Sequence, residues 1–414
     1  PGDRVLLLFP PGRSFVPAFL GTLLAGAIAV PAYTPDPSRM KRTLARLLAI
    51  IRDSGATHVL TTSLVAQQAA AITMLAPELG HLGWTTVDGL DGEPDPADSF
   101  EPPRPDAVAY LQYTSGSTTT PRGVRITHAN LVHNVGENAR ITMPAGPCDT
   151  TCWLPVHHDF GLMAAVLLPL HLGRHCTMFS PLDFIRRPAL WLECVSRFRT
   201  ETTGGPTFGY ALAARKVTDV SGLDLSHVRG CVVSAEHVRA ATLDAFIERF
   251  APAGLRPDTF IACYGLAETV VTATGTVPGP PRATFDPEAL AAGRIELLDG
   301  GVELVSSGHP SEGEVAIVDA EGARLPERTI GSVWLRSESI GDGYWKDPPS
   351  GSTTFGNLVP GDPEPWLSTG DLGFLHDGEL YITGRQADRI VVQGRTLFAE
   401  DVEEAAETAH PACR

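Results

Sequence analysis

The sequence predicts an α/β protein: parallel sheets covered by helices, joined to a smaller β-rich unit. Three observations carry the prediction. Short apolar runs alternate with helix-spaced segments through the first two-thirds of the chain. From about Gly293 short strands separated by turns take over. With 414 residues, 43% of them hydrophobic, the chain exceeds one compact core, so two or three units are expected.

In order, "RVLLLF" reads as a strand, and "FVPAFLGTLLAGAIAV" (Phe15–Val30) as a buried helix running into a strand. Pro17, Gly21 and Gly26 interrupt that apolar run, and it falls short of the ~20 residues a bilayer requires. Leu44, Leu47, Leu48 and Ile51 share one face of a helix that Gly55 stops, and "THVLTT" follows as a strand. The acidic, proline-rich stretch Asp88–Ala107 reads as a surface connection. "TLDAFIERFAPAG" places Leu243, Phe246, Ile247 and Phe250 on one helix face, and "TFIACYG" returns as a strand. "GEVAIVDAEG", "GSVWLRS" and "GELYITGR" make the β-rich unit, with His376–Glu379 as a two-residue hairpin turn.

The formal charge of −16 argues against nucleic acid or an anionic membrane as principal partner, while leaving room for a small anion in a local basic spot. The seven cysteines are scattered, odd in number and free of CxxC pairs, which reads as reduced thiols in a cytoplasm. The chain opens at "PGDRV" without Met and stops at "HPACR" just after a new helix begins, so a piece of a longer protein is expected.

Four segments carry candidate chemistry. "YTSGSTTTPRGV" (Tyr113–Val124) packs hydroxyls and glycine ahead of Arg122, between a strand and a helix that Thr127 caps. Backbone N–H groups and hydroxyls converge on an anion in such a loop, although the GxxxxGK[ST] order is absent and an ordinary polar turn is the plain alternative. "WLPVHHDFGLM" sets His157, His158 and Asp159 in an apolar frame. A metal site lacks companion ligands there, and a Ser–His–Asp hydrolase lacks its GxSxG elbow. His171 and His175, split by Gly173, read as structural. "CYGLAETVV" puts Glu268 after a strand, where it suits a Mg²⁺ ion if the hydroxyl loop holds a triphosphate. Asp371 and Arg385, a turn carboxylate and a strand-end cation, suit ribose hydroxyls or a phosphate.

The order of these segments resembles the adenylate-forming enzymes: a Ser/Thr/Gly loop ending in PxG, an apolar His motif, YGxAE, TGD, then GRxxD. The likeness covers essentially the whole chain. In detail, "LQYTSGST", "WLPVHHDFGLM", "GGPTFGY" and "STGDLGFLHDGELYITGR" are similar to fatty acyl-AMP ligases. The stretch Trp345–Ser368 resembles an insertion in that group associated with failure to use free coenzyme A. The resemblance implies a large N-terminal domain over 1–386, with two α/β subdomains to about 292 and a small β-barrel-like subdomain over about 293–386. Residues 387–414 would be the hinge and the start of a C-terminal lid that is mostly absent from this chain.

The resemblance also implies a reaction. A fatty or related carboxylate attacks the α-phosphate of ATP, with Mg²⁺, and the acyl group then passes to the phosphopantetheine thiol of an acyl carrier protein. Thr114, Ser115, Gly116, Ser117, Thr118 and Arg122 would grip the phosphates. Ser234, Ala235 and Glu236 would form the adenine-side wall, with Tyr264 and Gly265 lining the nucleotide. Glu268 would bind Mg²⁺, Asp371 and Arg385 would hold the ribose, and His158 would sit between acyl group and α-phosphate. Gly205, Pro206 and Thr207 would line the acyl tunnel. Catalytic roles fall to His158, Glu268 and Arg385.

Three positions depart from the family pattern: Thr119 for glycine, Arg122 for lysine, and Ala387 for the Asp or Lys common at the hinge. The lid's catalytic lysine would lie beyond Arg414, so residues 1–414 are expected to bind ATP and acid but adenylate poorly. A coenzyme A ligase or amino- or aryl-acid adenylating enzyme is one alternative. A nucleotide- or acid-binding module without turnover is another.

Overall fold

The computed structural model describes residues 2–35, 40–88, 101–114, 121–347, 353–392 and 395–398. Two six-stranded sheets form its body. The first contains β1 (Arg4–Phe9), β2 (Ile28–Tyr33), β3 (His58–Thr61), β4 (Gly83–Thr86), β5 (Val108–Tyr113) and β6 (Gly123–Thr127), in the order β4-β3-β1-β2-β5-β6. The second contains β7 (Thr150–Cys152), β8 (Cys176–Met178), β9 (Thr202–Gly205), β10 (Gly230–Val233), β11 (Phe260–Tyr264) and β12 (Thr274–Gly275), in the order β12-β11-β10-β9-β7-β8. Every pairing is parallel except β5–β6 and β11–β12.

The apolar runs become the sheet interior, and Leu7, Ala29, Val30, Val233 and Ile261 are fully buried. Helices α1 (Phe15–Leu24), α2 (Met40–Ser54) and α3 (Ser63–Leu75) connect the first sheet. Gly55 ends α2 at φ +62, the left-handed conformation that favours glycine. Behind the second sheet, the helix Ala240–Phe250 buries Leu243, Phe246 and Phe250, as its spacing predicts. Phe246 meets the rings of Tyr210 and Phe260 at 4.9 and 5.9 Å. Helix α4 (His128–Thr142) starts at Thr127, whose hydroxyl accepts from the Asn130 amide N–H while the Asn130 side chain accepts from the Thr127 N–H.

One expectation is corrected. The hydroxyl-rich loop does not run from a strand into a helix. It joins two antiparallel strands, β5 and β6, and α4 begins only after β6. "GVRIT" is rich in β-branched residues and pairs with "AYLQY", so the described residues on either side of the loop are antiparallel strands.

Antiparallel pairing on the C-terminal side begins at Arg282, ahead of Gly293. Strand β13 (Arg282–Phe285) pairs with β14 (Val302–Val305). A four-stranded antiparallel sheet follows, with β15 (Glu314–Val318), β16 (Gly331–Arg336), β17 (Leu367–His376) and β18 (Glu379–Arg385) in sequence order. Phe285 of the ribbon packs edge-on against Phe374 and Tyr381 of the sheet. The turn between β17 and β18 uses Asp377 at φ 53 and Gly378 at φ 78, the left-handed pair a two-residue hairpin demands. β19 (Arg389–Val392) and β20 (Arg395–Phe398) pair beyond it.

In the second sheet the chain leaves β7 toward β8 on one side and returns to β9 on the other. Open α/β sheets gather ligands at such a reversal, outside the carboxyl ends of the strands.

Candidate active site

The carboxyl ends of β7, β9, β10 and β11 carry most of the expected residues. Beyond β7 the chain turns through Pro155–His158 and enters a short helix at Asp159. Gly161 is required there, because a Cβ would stand 2.1 Å from the Pro155 carbonyl oxygen. The half-exposed His158 holds its Nδ1 2.6 Å from Asp159 Oδ1, and that carboxylate raises its pKa. Its neighbour His157 is pushed down to about 4 by burial, with His158 and Arg46 adding repulsion. The ring therefore stays neutral at ordinary pH, and its backbone carbonyl accepts from Gln112 Nε2 at 3.1 Å.

Past the short helix, Met163–Leu167 forms a π-helical segment. Such segments are rare and collect at functional sites. Met163, Ala164, Phe160, Gly204 and Val232 help line a small apolar cavity of about 40 Å³ that reaches Ser234. At the end of β9, Gly205 and Gly209 let Trp153 press against the backbone. A Cβ would lie 2.8 or 2.7 Å from its ring. Pro206 leads into the following helix, and Thr207 donates to the His237 carbonyl at 2.9 Å. Ser234 is buried, Ala235 takes φ 70, and Glu236 accepts from the Phe208 N–H at 3.0 Å. A non-glycine residue at positive φ marks local strain of the kind binding sites hold.

At the end of β11 the Tyr264 phenol donates to Asp371 Oδ2 at 2.6 Å. Asp371 and Arg385 are register partners across β17 and β18, with Arg385 Nε 3.6 Å from Asp371 Oδ1. Asp371 is buried, whereas the Arg385 side chain is 62% exposed. Gly265 is forced by proximity, since a Cβ would sit 2.0 Å from the Val271 carbonyl oxygen. Glu268 lies on a single 3₁₀ turn (Ala267–Thr269) and is 8% exposed. One of its oxygens accepts from the Tyr344 phenol at 2.6 Å, and the other carries no hydrogen bond among the described residues. One carboxylate with an oxygen to spare fits Mg²⁺, which keeps waters and substrate phosphates as its other ligands. No cluster of three or more His, Cys, Asp or Glu suited to a metal occurs among the described residues.

The hairpin loop is described at its stems. Thr114 N–H donates to the Arg122 carbonyl at 3.2 Å, and Arg46 of α2 donates to the Thr114 carbonyl at 2.9 Å. Arg122 lies 3.9 Å above the ring of Tyr344. Ser115, Gly116, Ser117 and Thr118 lie outside the described residues, as does Thr119.

Sequence reasoning missed Tyr344, Arg46 and Gln112. Tyr344 stands 76 positions from Glu268 and meets it only through tertiary approach. Its "GYW" context carries no local chemical signal. The six described cysteines are all free, and burial pushes Cys231 and Cys263 up to about 12, so they behave as packing groups.

The profile described as AMP-binding enzyme matches residues 1–345, and the chain belongs to that family. It is 39% identical to a 4-hydroxyphenylalkanoate adenylyltransferase of Mycobacterium marinum, over 97% of this chain and 67% of that protein. A medium-chain-fatty-acid–[acyl-carrier-protein] ligase of Moorena producens is 38% identical, over 100% of this chain and 72% of its own length. Among solved structures, the fatty acyl-adenylate ligase from L. pneumophila in complex with acyl adenylate and pyrophosphate superposes with a TM-score of 0.85 at 34% identity, covering 93% of this chain and 68% of that one.

Proposed function

We propose that this protein activates a fatty or related carboxylic acid with ATP, releasing pyrophosphate and forming acyl-AMP, and then passes the acyl group to the phosphopantetheine thiol of an acyl carrier protein. The observation that carries the reading is the gathering of three chemistries about the end of β11. A small apolar cavity reaches Ser234 and Cys263, a ribose-type carboxylate stands at Asp371, and a buried carboxylate with one oxygen free of hydrogen bonds among the described residues stands at Glu268. The names of the relatives support the acid and the carrier.

The residues divide the work as follows. Acid and nucleotide are both anions, so the site must first bring like charges together. Arg122 and Arg46 supply positive charge at the loop stems, and Thr114 to Thr118 with their backbone amides receive the phosphates. Asp371, oriented by Tyr264, accepts the ribose hydroxyls, with Arg385 beside it. Ser234–Glu236 and Tyr264–Gly265 wall the base. His158, protonated more readily because of Asp159, sits where carboxylate and α-phosphate meet and screens their repulsion. Glu268 would hold Mg²⁺, which neutralises charge building on the phosphate oxygens. Gly205, Pro206 and Thr207 line the start of the acyl channel, whose apolar lining excludes water from the mixed anhydride.

We assign 1–386 to the adenylation domain, with its β subdomain from about 293, and 387–414 to the hinge and the start of the lid. We place the reaction in the cytoplasm, where ATP is available and the free thiols stay reduced. No helix among the described residues is long and apolar enough to cross a membrane.

The test is acid-dependent ATP–pyrophosphate exchange with a panel of fatty acids, followed by mass spectrometry for acyl-AMP, acyl-carrier and acyl-coenzyme A. Acyl-AMP and acyl-carrier are expected. Acyl-coenzyme A as the main product would make the protein a coenzyme A ligase. ATP binding without exchange in a protein carrying the complete lid would make it a binding module.

A further inference from the structure

The geometry points to Tyr344 as a positioning residue that joins the loop cation Arg122 to the carboxylate Glu268, and makes arginine the fitting residue at position 122. This rests on the reading of the site given above.

The tyrosine is 3% exposed and touches both groups, through its hydroxyl to Glu268 Oε1 and through its ring face to Arg122. The ring of Phe355 closes on it edge-on at 5.1 Å. Phe355 belongs to the stretch Trp345–Ser368, and Thr354 beside it hydrogen-bonds the Tyr344 side chain, so that stretch reaches the centre of the site.

Backbone pairing fixes the tyrosine between its partners. Asp342 N–H donates to the Arg125 carbonyl, Arg125 N–H to the Gly343 carbonyl, and Trp345 N–H to the Gly123 carbonyl, at 2.9, 2.9 and 2.7 Å. Residues 342–345 thus run along β6, which begins directly after Arg122. Gly341 N–H donates to the Glu268 carbonyl at 2.8 Å, closing the other side. A Cβ on Gly341 would lie 2.9 Å from the Arg125 carbonyl oxygen, so the approach depends on glycine.

The arrangement has a chemical logic. A cation and a carboxylate this close to a common neighbour tend to pair and cancel. No ion pair joins Arg122 to Glu268. The ring holds the guanidinium by its face, and the hydroxyl occupies one carboxylate oxygen. That leaves the positive charge for phosphate and the second oxygen for metal. A planar guanidinium stacks on an aromatic face better than a lysine ammonium does. The Arg122 departure is therefore matched to Tyr344.

The experiment is calorimetric ATP binding to residues 1–414 across a Mg²⁺ titration, with Mn²⁺ electron paramagnetic resonance as a second readout of the metal. Tyr344→Phe keeps the ring and removes the hydroxyl. It is expected to raise the half-saturating metal concentration about tenfold, the effect of losing a hydrogen bond to a charged group. Arg122→Lys is expected to weaken ATP about three- to tenfold while leaving metal half-saturation nearly unchanged. In a Tyr344→Leu background, arginine and lysine at 122 should become equivalent. An unchanged metal titration in Tyr344→Phe overturns the hydroxyl's role. Equal ATP affinity for Arg122 and Lys at this position, or a difference that survives in the Leu background, overturns the stacking role. If Tyr344→Leu does not fold, the first two variants still decide both points. A wild-type chain that binds no ATP at any metal concentration overturns the parent reading and this one with it.

Discussion

Glu268 and Asp371 are both buried carboxylates that accept from a tyrosine phenol, so removing either should cost stability, while their functional readouts differ. Glu268→Ala is expected to abolish pyrophosphate exchange and to flatten the metal dependence of ATP binding. Asp371→Ala strips the Tyr264 phenol of its acceptor in a buried setting, so it should cost about 1–3 kcal/mol of stability as well as nucleotide affinity. Arg385→Ala makes the useful contrast. Its side chain is 62% exposed and its ion pair is long, so chemical denaturation should barely register it while turnover falls. Gly265→Ala is the steric case. The added methyl meets backbone at 2.0 Å on Val271 and 2.8 Å on Thr272, and the melting temperature should drop by the equivalent of about 1–3 kcal/mol.

Helix α4 ties the nucleotide side of the molecule to the β subdomain. Thr127 only caps it, whereas Asn130 completes the capping box and also donates to the carbonyls of Glu338 and Ile340 at 2.7 and 2.9 Å. Thr127→Ala should cost about 1 kcal/mol in a urea titration. Asn130→Ala should cost more, because it also frees the segment that leads to Tyr344. Further along α4, buried Glu137 accepts from Ser339 Oγ, and Asn138 accepts from Thr272 at 3.0 Å, continuing the same seam. Some elements were legible beforehand and some were not. Strands β1, β2, β3, β5 and β11 follow from their apolar runs, and the turn at Asp377–Gly378 follows from two residues. β6 was hidden because five residues of alternation are too short to stand out beside a capped helix. The π segment was hidden because "MAAVLL" reads as ordinary helix, and only packing against the sheet shows the extra residue in the turn.

At the scale of the molecule, acid stability should be set partly by two adjacent histidines acting in opposite senses. His157 resists protonation until about pH 4 in the fold, whereas the unfolded chain takes the proton near 6.5. Between those values the unfolded state binds more protons, so stability falls as pH falls through that window. His158 is raised by Asp159, so its contribution is full below 6.5 and is lost as pH climbs through its folded value. His157→Asn should flatten the acid limb of stability against pH, measured as denaturant midpoints from pH 4 to 7. The site was legible in the sequence as a set of types in order, although Asp371, expected in a turn, lies within β17 opposite Arg385. What joins those groups was not legible. Tyr344 to Glu268 and Arg46 to Thr114 are contacts between distant segments that no spacing rule connects. The stretch before β17 carries a last consequence. Trp366 is buried between the guanidinium groups of Arg324 and Arg336, 4.9 and 4.7 Å from its ring, and Asp362 of the same stretch anchors Arg336. Removing residues 353–365 would strip the cover from an indole and leave Arg324 and Arg336 to share Glu314 alone, where Glu314 and Asp362 now serve both. The expected product is a sticky, poorly expressed protein, and a trimmed version should be rebuilt with Trp366→Ser before its activity is assayed.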